Sequence, residues 1–154
     1  MIRFLLPTAH RVRRRLLAWT GWPTRGAKAM AFDRAGRVLL VRHAYGRSDL
    51  YMLPGGGIGR GEQPVDAAVR ELQEETGCRL QAPELVARYE ASAEGRRDMV
   101  FLFRGITEDQ PVADAAEVIE AAFFALDSLP PNTSPATRRR IEEATGRRPV
   151  SQRW

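Results

Sequence analysis

Glu71, Glu74 and Glu75 stand within five residues of one another in the stretch RELQEETGC, residues 70–78. On a helix, positions i, i+3 and i+4 project from one face within a single turn. Three carboxylates there repel one another, and they sit toward the negative end of the helix, where an acid gains nothing. A sequence shaped by helix stability alone would alternate signs. A hard divalent cation removes the conflict, because Mg²⁺ takes oxygen ligands and keeps water and substrate phosphate in its shell. Arg70, next in sequence, can hold one of the carboxylates in place. Just upstream, Gly55, Gly56 and Gly57 permit close backbone approach. They read as a loop that brings a polyphosphate to the cation. They are not a Walker-type loop, since no Gly-Lys-Ser/Thr follows. A glycine run alone is usually a turn, and a glutamate cluster alone is usually a solvated helix face. Their combination points to chemistry on phosphate.

The spacing is specific. Gly56, five residues, Glu62, seven residues, and then Arg70-Glu71-Leu72-Gln73-Glu74-Glu75-Thr76-Gly77-Cys78 resemble the Nudix box at every fixed position. Leu72 and Cys78 fill its two apolar positions. The resemblance runs through most of residues 26–146. It implies an α/β fold, an α/β/α sandwich around a mixed β-sheet. It also implies hydrolysis of a diphosphate linkage in a nucleoside diphosphate derivative, with water attacking phosphorus and Mg²⁺ or Mn²⁺ as cofactor. By that resemblance Glu71, Glu74 and Glu75 are the metal ligands, while Glu62 and Arg70 orient them. A further acid from a later loop is implied. Glu117, six residues before Phe123, is the expected one, and Glu120 is its competitor. Glu75 and Glu117 both remain candidates for the general base. Arg42, in LLVRH, resembles the family's arginine on the strand before the box and is expected at substrate phosphate. Gly55, Gly56 and Gly57 would line the substrate. Tyr51, three residues ahead of the glycines, is either core or a ring for stacking a base. The alternative function is a catalytically silent module that binds or senses a nucleotide. Such a module would be expected to lose carboxylates, and here none is lost.

These residues need elements to position them. Pro64 suits the first position of a helix and Gly77 its stop, predicting a helix over 64–76. Ala67, Ala68, Leu72 and Thr76 would form its packed face. AKAMAFD, the turn DRAGR and RVLLVRHA read as a β-hairpin. LYML reads as short and extended before Pro54. ELVARYEASA and RDMVFLFRGI read as two strands around Glu94-Gly95, and the second half of EVIEAAFFAL as another. Ser134 caps a helix that begins at Pro135 and ends at Gly146. The tail RRPVSQRW, residues 147–154, reads as loose.

The chain's 154 residues suffice for one domain with a core. Its net charge of +5 is uneven: residues 1–32 carry seven basic residues and no acid, so the remainder sums to −2. The basic surplus therefore belongs to an arm over residues 1–25 and not to the domain at 26–146. Few aromatic residues, Trp19 and Trp22 among them, lie close to the arm's arginines, so no nucleic-acid partner is expected. Val12, Leu16 and Trp19 would share a helical face, predicting an arm packed on its own domain or across a homodimer rather than on a membrane surface. The single cysteine, Cys78, allows no internal disulfide and suits a cytoplasmic setting. Cys78 fills an apolar position and is not expected to act as a nucleophile, and neither His10 nor His43 has the spacing of a metal site.

Overall fold

Alternating apolar residues in the first hairpin give the sheet its two faces. The computed structural model describes residues 25–93 and 96–154, so the expectations for the basic arm fall outside the described residues. Strand β1 (Arg25–Phe32) pairs antiparallel with β2 (Val38–His43), and β2 pairs antiparallel with β6 (Val118–Phe124). On its other side β1 runs parallel to β5 (Arg96–Ile106), which forms a long antiparallel hairpin with β4 (Gln81–Ala93). The sheet is therefore mixed, in the order β4-β5-β1-β2-β6. Strand β3 (Gly55–Gly57) adds to β1 off that path.

A helix covers each face. Helix α1 (Pro64–Thr76) packs Ala67, Ala68 and Leu72 against Ala27, Ala29, Ala31 and Leu39. Helix α2 (Pro135–Ala144) packs Ile141 on the other face, with Met30, Val38, Leu40, Tyr51 and Leu53. This is the expected α/β/α sandwich. Among the described residues no helix is long and apolar enough to cross a membrane.

Helix α1 has the expected bounds, starting on a proline and ending at Gly77 in the left-handed region (φ 74°). Ser134 caps α2 by accepting a hydrogen bond from the Thr137 amide. Three expectations change. First, Gly55–Gly57 is a strand and not a loop, hydrogen-bonded to β1 in the register Gly26–Gly57, Ala27–Gly56, Lys28–Gly55. A Cβ on Gly55 would lie 2.3 Å from the Ala27 carbonyl oxygen, so only glycine permits this pairing. Second, β6 already begins at Val118, because pairing with β2 outweighs the helical propensity of its first residues. Third, residues 147–154 are docked and not loose. Glu90 and Trp154 exchange backbone hydrogen bonds with the tail and strand β4, Glu90 N–H to Gln152 O at 2.8 Å and Trp154 N–H to Glu90 O at 2.9 Å. Trp154 also meets the Tyr89 ring edge-on.

Candidate active site

The buried stripe of α1 comprises Ala67, Ala68, Glu71, Leu72, Glu75 and Thr76. Two of the three clustered glutamates thus occupy positions that helical periodicity reserves for apolar side chains. Glu71 is 1% exposed and Glu75 is 2% exposed. Glu74 points further out. Burying carboxylates is costly unless they are paired. The pairing comes from one guanidinium. Arg70 donates to both oxygens of Glu62 (3.1 and 3.2 Å from Nε), to Glu71 at 2.8 Å and to Glu74 at 3.4 Å. Its Nη2 also reaches the Gly57 carbonyl at 3.1 Å, tying α1 to the glycine strand. Burial works against the Arg70 charge, but the hydrogen bond to Glu62 and the charge of Glu71 outweigh it and raise its pKa.

Glu75 is held differently. Its Oε2 accepts the Gly55 N–H at 3.1 Å, and its Oε1 lies 3.0 Å from His43 Nε2. His43 is itself buried, 5% exposed. Lys28 Nζ donates to the Leu53 carbonyl at 3.2 Å. Burial lowers the Lys28 pKa, and the charges of Glu75 and Glu71 oppose that shift. His43 and Lys28 were not singled out for this site by spacing. His43 was legible in part: it lies on the β2 face opposite Arg42, where alternation points it toward α1.

The structure brings Glu62, Arg70, Glu71, Glu74, Glu75, Gly55 and Gly57 into one group. Gly56 joins them through strand β3. Arg42 and Tyr51 belong to another. Arg42 follows Val38 and Leu40 on the α2 face, bonds Glu120 at 2.9 Å and lies over the Tyr51 ring. The Tyr51 hydroxyl donates to the same Glu120 carboxylate. Tyr51 is 9% exposed and packs edge-on against Phe124, so its ring is core here. Glu120 is thereby engaged away from the glutamate group. Glu117 enters from the loop before β6, and its carbonyl accepts the Ala44 N–H one residue beyond His43. Asp114 builds that loop, with Oδ1 accepting the amides of Ala116, Glu117 and Val118.

The donor set suits a hard cation. It is made of carboxylate oxygens, with no thiolate, which favours Mg²⁺ or Mn²⁺ over softer metals. Among the described residues, Arg70 pairs with Glu62, Glu71 and Glu74, and the charges of Glu71 and Glu75 act on Lys28. Among the described residues, no three acidic, histidine or cysteine side chains converge closely enough to hold an ion as they stand. The carboxylates turn instead to Arg70, His43 and the Gly55 amide.

Comparison with known proteins agrees with this geometry. Residues 22–145 match the NUDIX domain family. A Bacillus subtilis protein provisionally named 8-oxo-dGTP diphosphatase is 31% identical over 122 residues, 78% of each chain. An RNA pyrophosphohydrolase of Acidiphilium cryptum is 32% identical over 131 residues, 71% of this chain and 80% of the relative. The RNA pyrophosphohydrolase of Bartonella bacilliformis is 45% identical, but the match spans only 36% of that protein. The crystal structure of a MutT NUDIX hydrolase from Burkholderia pseudomallei superposes with a TM-score of 0.69 at 27% identity, over 79% of this chain and 97% of that one.

Proposed function

The chain belongs to the Nudix hydrolase family, and on that premise we propose that it catalyses metal-dependent hydrolysis of a diphosphate linkage in a nucleoside diphosphate derivative. The observation that carries the proposal is the burial of Glu71 and Glu75 on one helix face beside a glycine strand, with Glu74 at its solvent edge. Glu71, Glu74 and Glu75 would hold Mg²⁺ or Mn²⁺. Bound there, the ion would neutralise charge on the phosphate oxygens and activate water. Arg70 keeps Glu62 and Glu71 oriented and fixes α1 to Gly57. Gly55 and Gly56 leave the strand bare of side chains, so a phosphate can approach the backbone. Glu75 and Glu117 are the candidates for the base that takes the proton of the attacking water. The engagement of Glu120 with Arg42 and Tyr51 favours Glu117 as the later carboxylate. Arg42 would bind substrate phosphate only by leaving Glu120.

The substrate class is open between two chemistries that the relatives carry, an oxidised deoxynucleoside triphosphate and an RNA pyrophosphate. The expectation of no nucleic-acid partner was argued from the basic arm, and an RNA end held as substrate would depart from it. The test is phosphate or pyrophosphate release from nucleotide sugars, ADP-ribose, dinucleotides, 8-oxo-dGTP and 5′-polyphosphorylated RNA, with Mg²⁺ and with Mn²⁺. Turnover of at least one, abolished by chelation, supports hydrolysis. Tight, metal-dependent binding without turnover of any would replace it with the sensing module.

A further inference from the structure

We propose that His43 is a positioning residue for Glu75, donating from Nε2 to Oε1 so that the carboxylate is presented to the metal in one orientation. The inference rests on the hydrolase reading above and adds a residue outside the box. Its first support is geometric. A carboxylate oxygen only accepts, so the 3.0 Å contact requires the hydrogen on Nε2. The Gly55 amide holds the other oxygen at 3.1 Å. Two donors on two strands therefore grip both oxygens of one side chain and fix the plane of the carboxylate. Each oxygen keeps lone-pair capacity for a further partner.

The second support is where His43 stands in the sheet. The β2–β6 ladder slips at this point: Arg42 faces Glu120, His43 faces Val118, and Ile119 is left over. Such bulges re-aim side chains and recur beside active sites. Alternation along β2 sets the Arg42–Glu120–Tyr51 group on one face and the His43–Glu75 pair on the other, and the extra residue on β6 falls where the Glu117 loop meets the strand end beside His43. The third support is burial. Glu71 and Glu74 share Arg70, whereas Glu75 bonds a neutral-capable ring and a backbone amide. If the pair served stability alone, an apolar pair of similar volume would serve as well or better.

The test compares His43→Phe, which keeps the ring volume without the donor, with His43→Gln, whose amide reaches to the same distance. Mn²⁺ affinity of the full chain is measured by titration, alongside kcat, KM and the thermal midpoint without metal. His43→Phe should weaken Mn²⁺ binding about 10–100-fold and lower kcat comparably, with KM nearly unchanged. His43→Gln should recover most of both. Should His43→Phe not fold, His43→Asn, one bond too short to reach Glu75, takes its place. Wild-type Mn²⁺ affinity in the donorless variant, or His43→Gln as defective as His43→Phe, would overturn the assignment. Because Mn²⁺ affinity needs no substrate, a wild-type chain that hydrolyses nothing would sink the hydrolase reading and leave this one to stand or fall on the affinities.

Discussion

Two arginines on opposite faces of the sheet solve opposite problems. Arg70, 30% exposed, is shared among Glu62, Glu71 and Glu74. Arg140 is fully buried and bonds one carboxylate, Glu143, at 2.9 Å. The rest of the Arg140 guanidinium is covered by the Tyr89 ring, 4.3 Å to the centroid, by the Trp154 ring at 5.3 Å, and by the Arg153 carbonyl at 2.7 Å. The second Glu143 oxygen accepts the Tyr89 hydroxyl, and the first also takes the Ser151 amide. That group is balanced, one charge against one, and it pins the C-terminal tail. In the Arg70 group three carboxylates share one guanidinium, and the group opens to solvent through Glu74. One carboxylate on one guanidinium, closed over by rings, holds a structure together. Carboxylates that crowd one guanidinium at the edge of solvent are suited to a cation.

The largest effect should follow at Glu75, which shares the helix face with the Arg70 group but is held by His43 and the Gly55 amide. Glu75→Gln keeps the shape and removes a charge that a bound cation would need. Turnover should fall at least about a thousandfold, some 4 kcal/mol of barrier, with the far-UV spectrum unchanged. A variant with half the wild-type rate would remove Glu75 from the mechanism.

Next, Arg140→Met should unfold the protein more easily by about 3 kcal/mol, since Glu143 is left buried without its partner. Activity per folded molecule should hold. Adding Glu143→Gln, which still accepts from Tyr89, should recover part of the loss in a chemical denaturation series. No recovery would mean that packing and not charge dominates there. Trp154→Ala should cost about 2 kcal/mol through lost ring contact with Tyr89 and Arg140, read as an earlier denaturation midpoint. If it costs nothing, the tail is not a structural part of the domain. In the metal-free protein Glu74→Gln should raise the thermal midpoint by about 1–2 °C, whereas Glu143→Gln should lower it. Equal signs would erase the contrast between the two groups.

The smallest effect is at Glu120. Its pKa is lowered, first by the Tyr51 hydroxyl and then by Arg42, against the opposing effect of burial. A depressed carboxylate pKa adds stability above the unfolded value, near 4.3, and loses it as pH falls through the folded value. Glu120→Gln should therefore cost under about 1 kcal/mol at pH 7, because the pair is partly solvated. The difference from wild type should shrink in thermal melts as pH falls past the unfolded value and vanish once pH is below the lowered folded value.

Much of the candidate site was readable in the sequence, because spacing along a helix is a local property. Glu71, Glu74 and Glu75 share one turn whatever the fold, and Pro64 and Gly77 mark the helix by their backbone chemistry. What pairs across the sheet was not readable. The glycines look like a loop because nothing in Gly-Gly-Gly says that Ala27 and Lys28 lie alongside. His43 looks like an isolated histidine because its partner is 32 residues away. The tail looks loose because Arg140 and Tyr89, which hold Trp154, come from a helix and a strand far apart in the chain.

The most direct test of the proposed cation site is Mn²⁺ titration of the metal-free full chain, followed by the paramagnetic signal of the free ion. The account predicts saturable binding that weakens about 10–100-fold in Glu74→Gln. It predicts no change in Glu143→Gln. Absence of saturable binding, or equal affinity in wild type and Glu74→Gln, would contradict it.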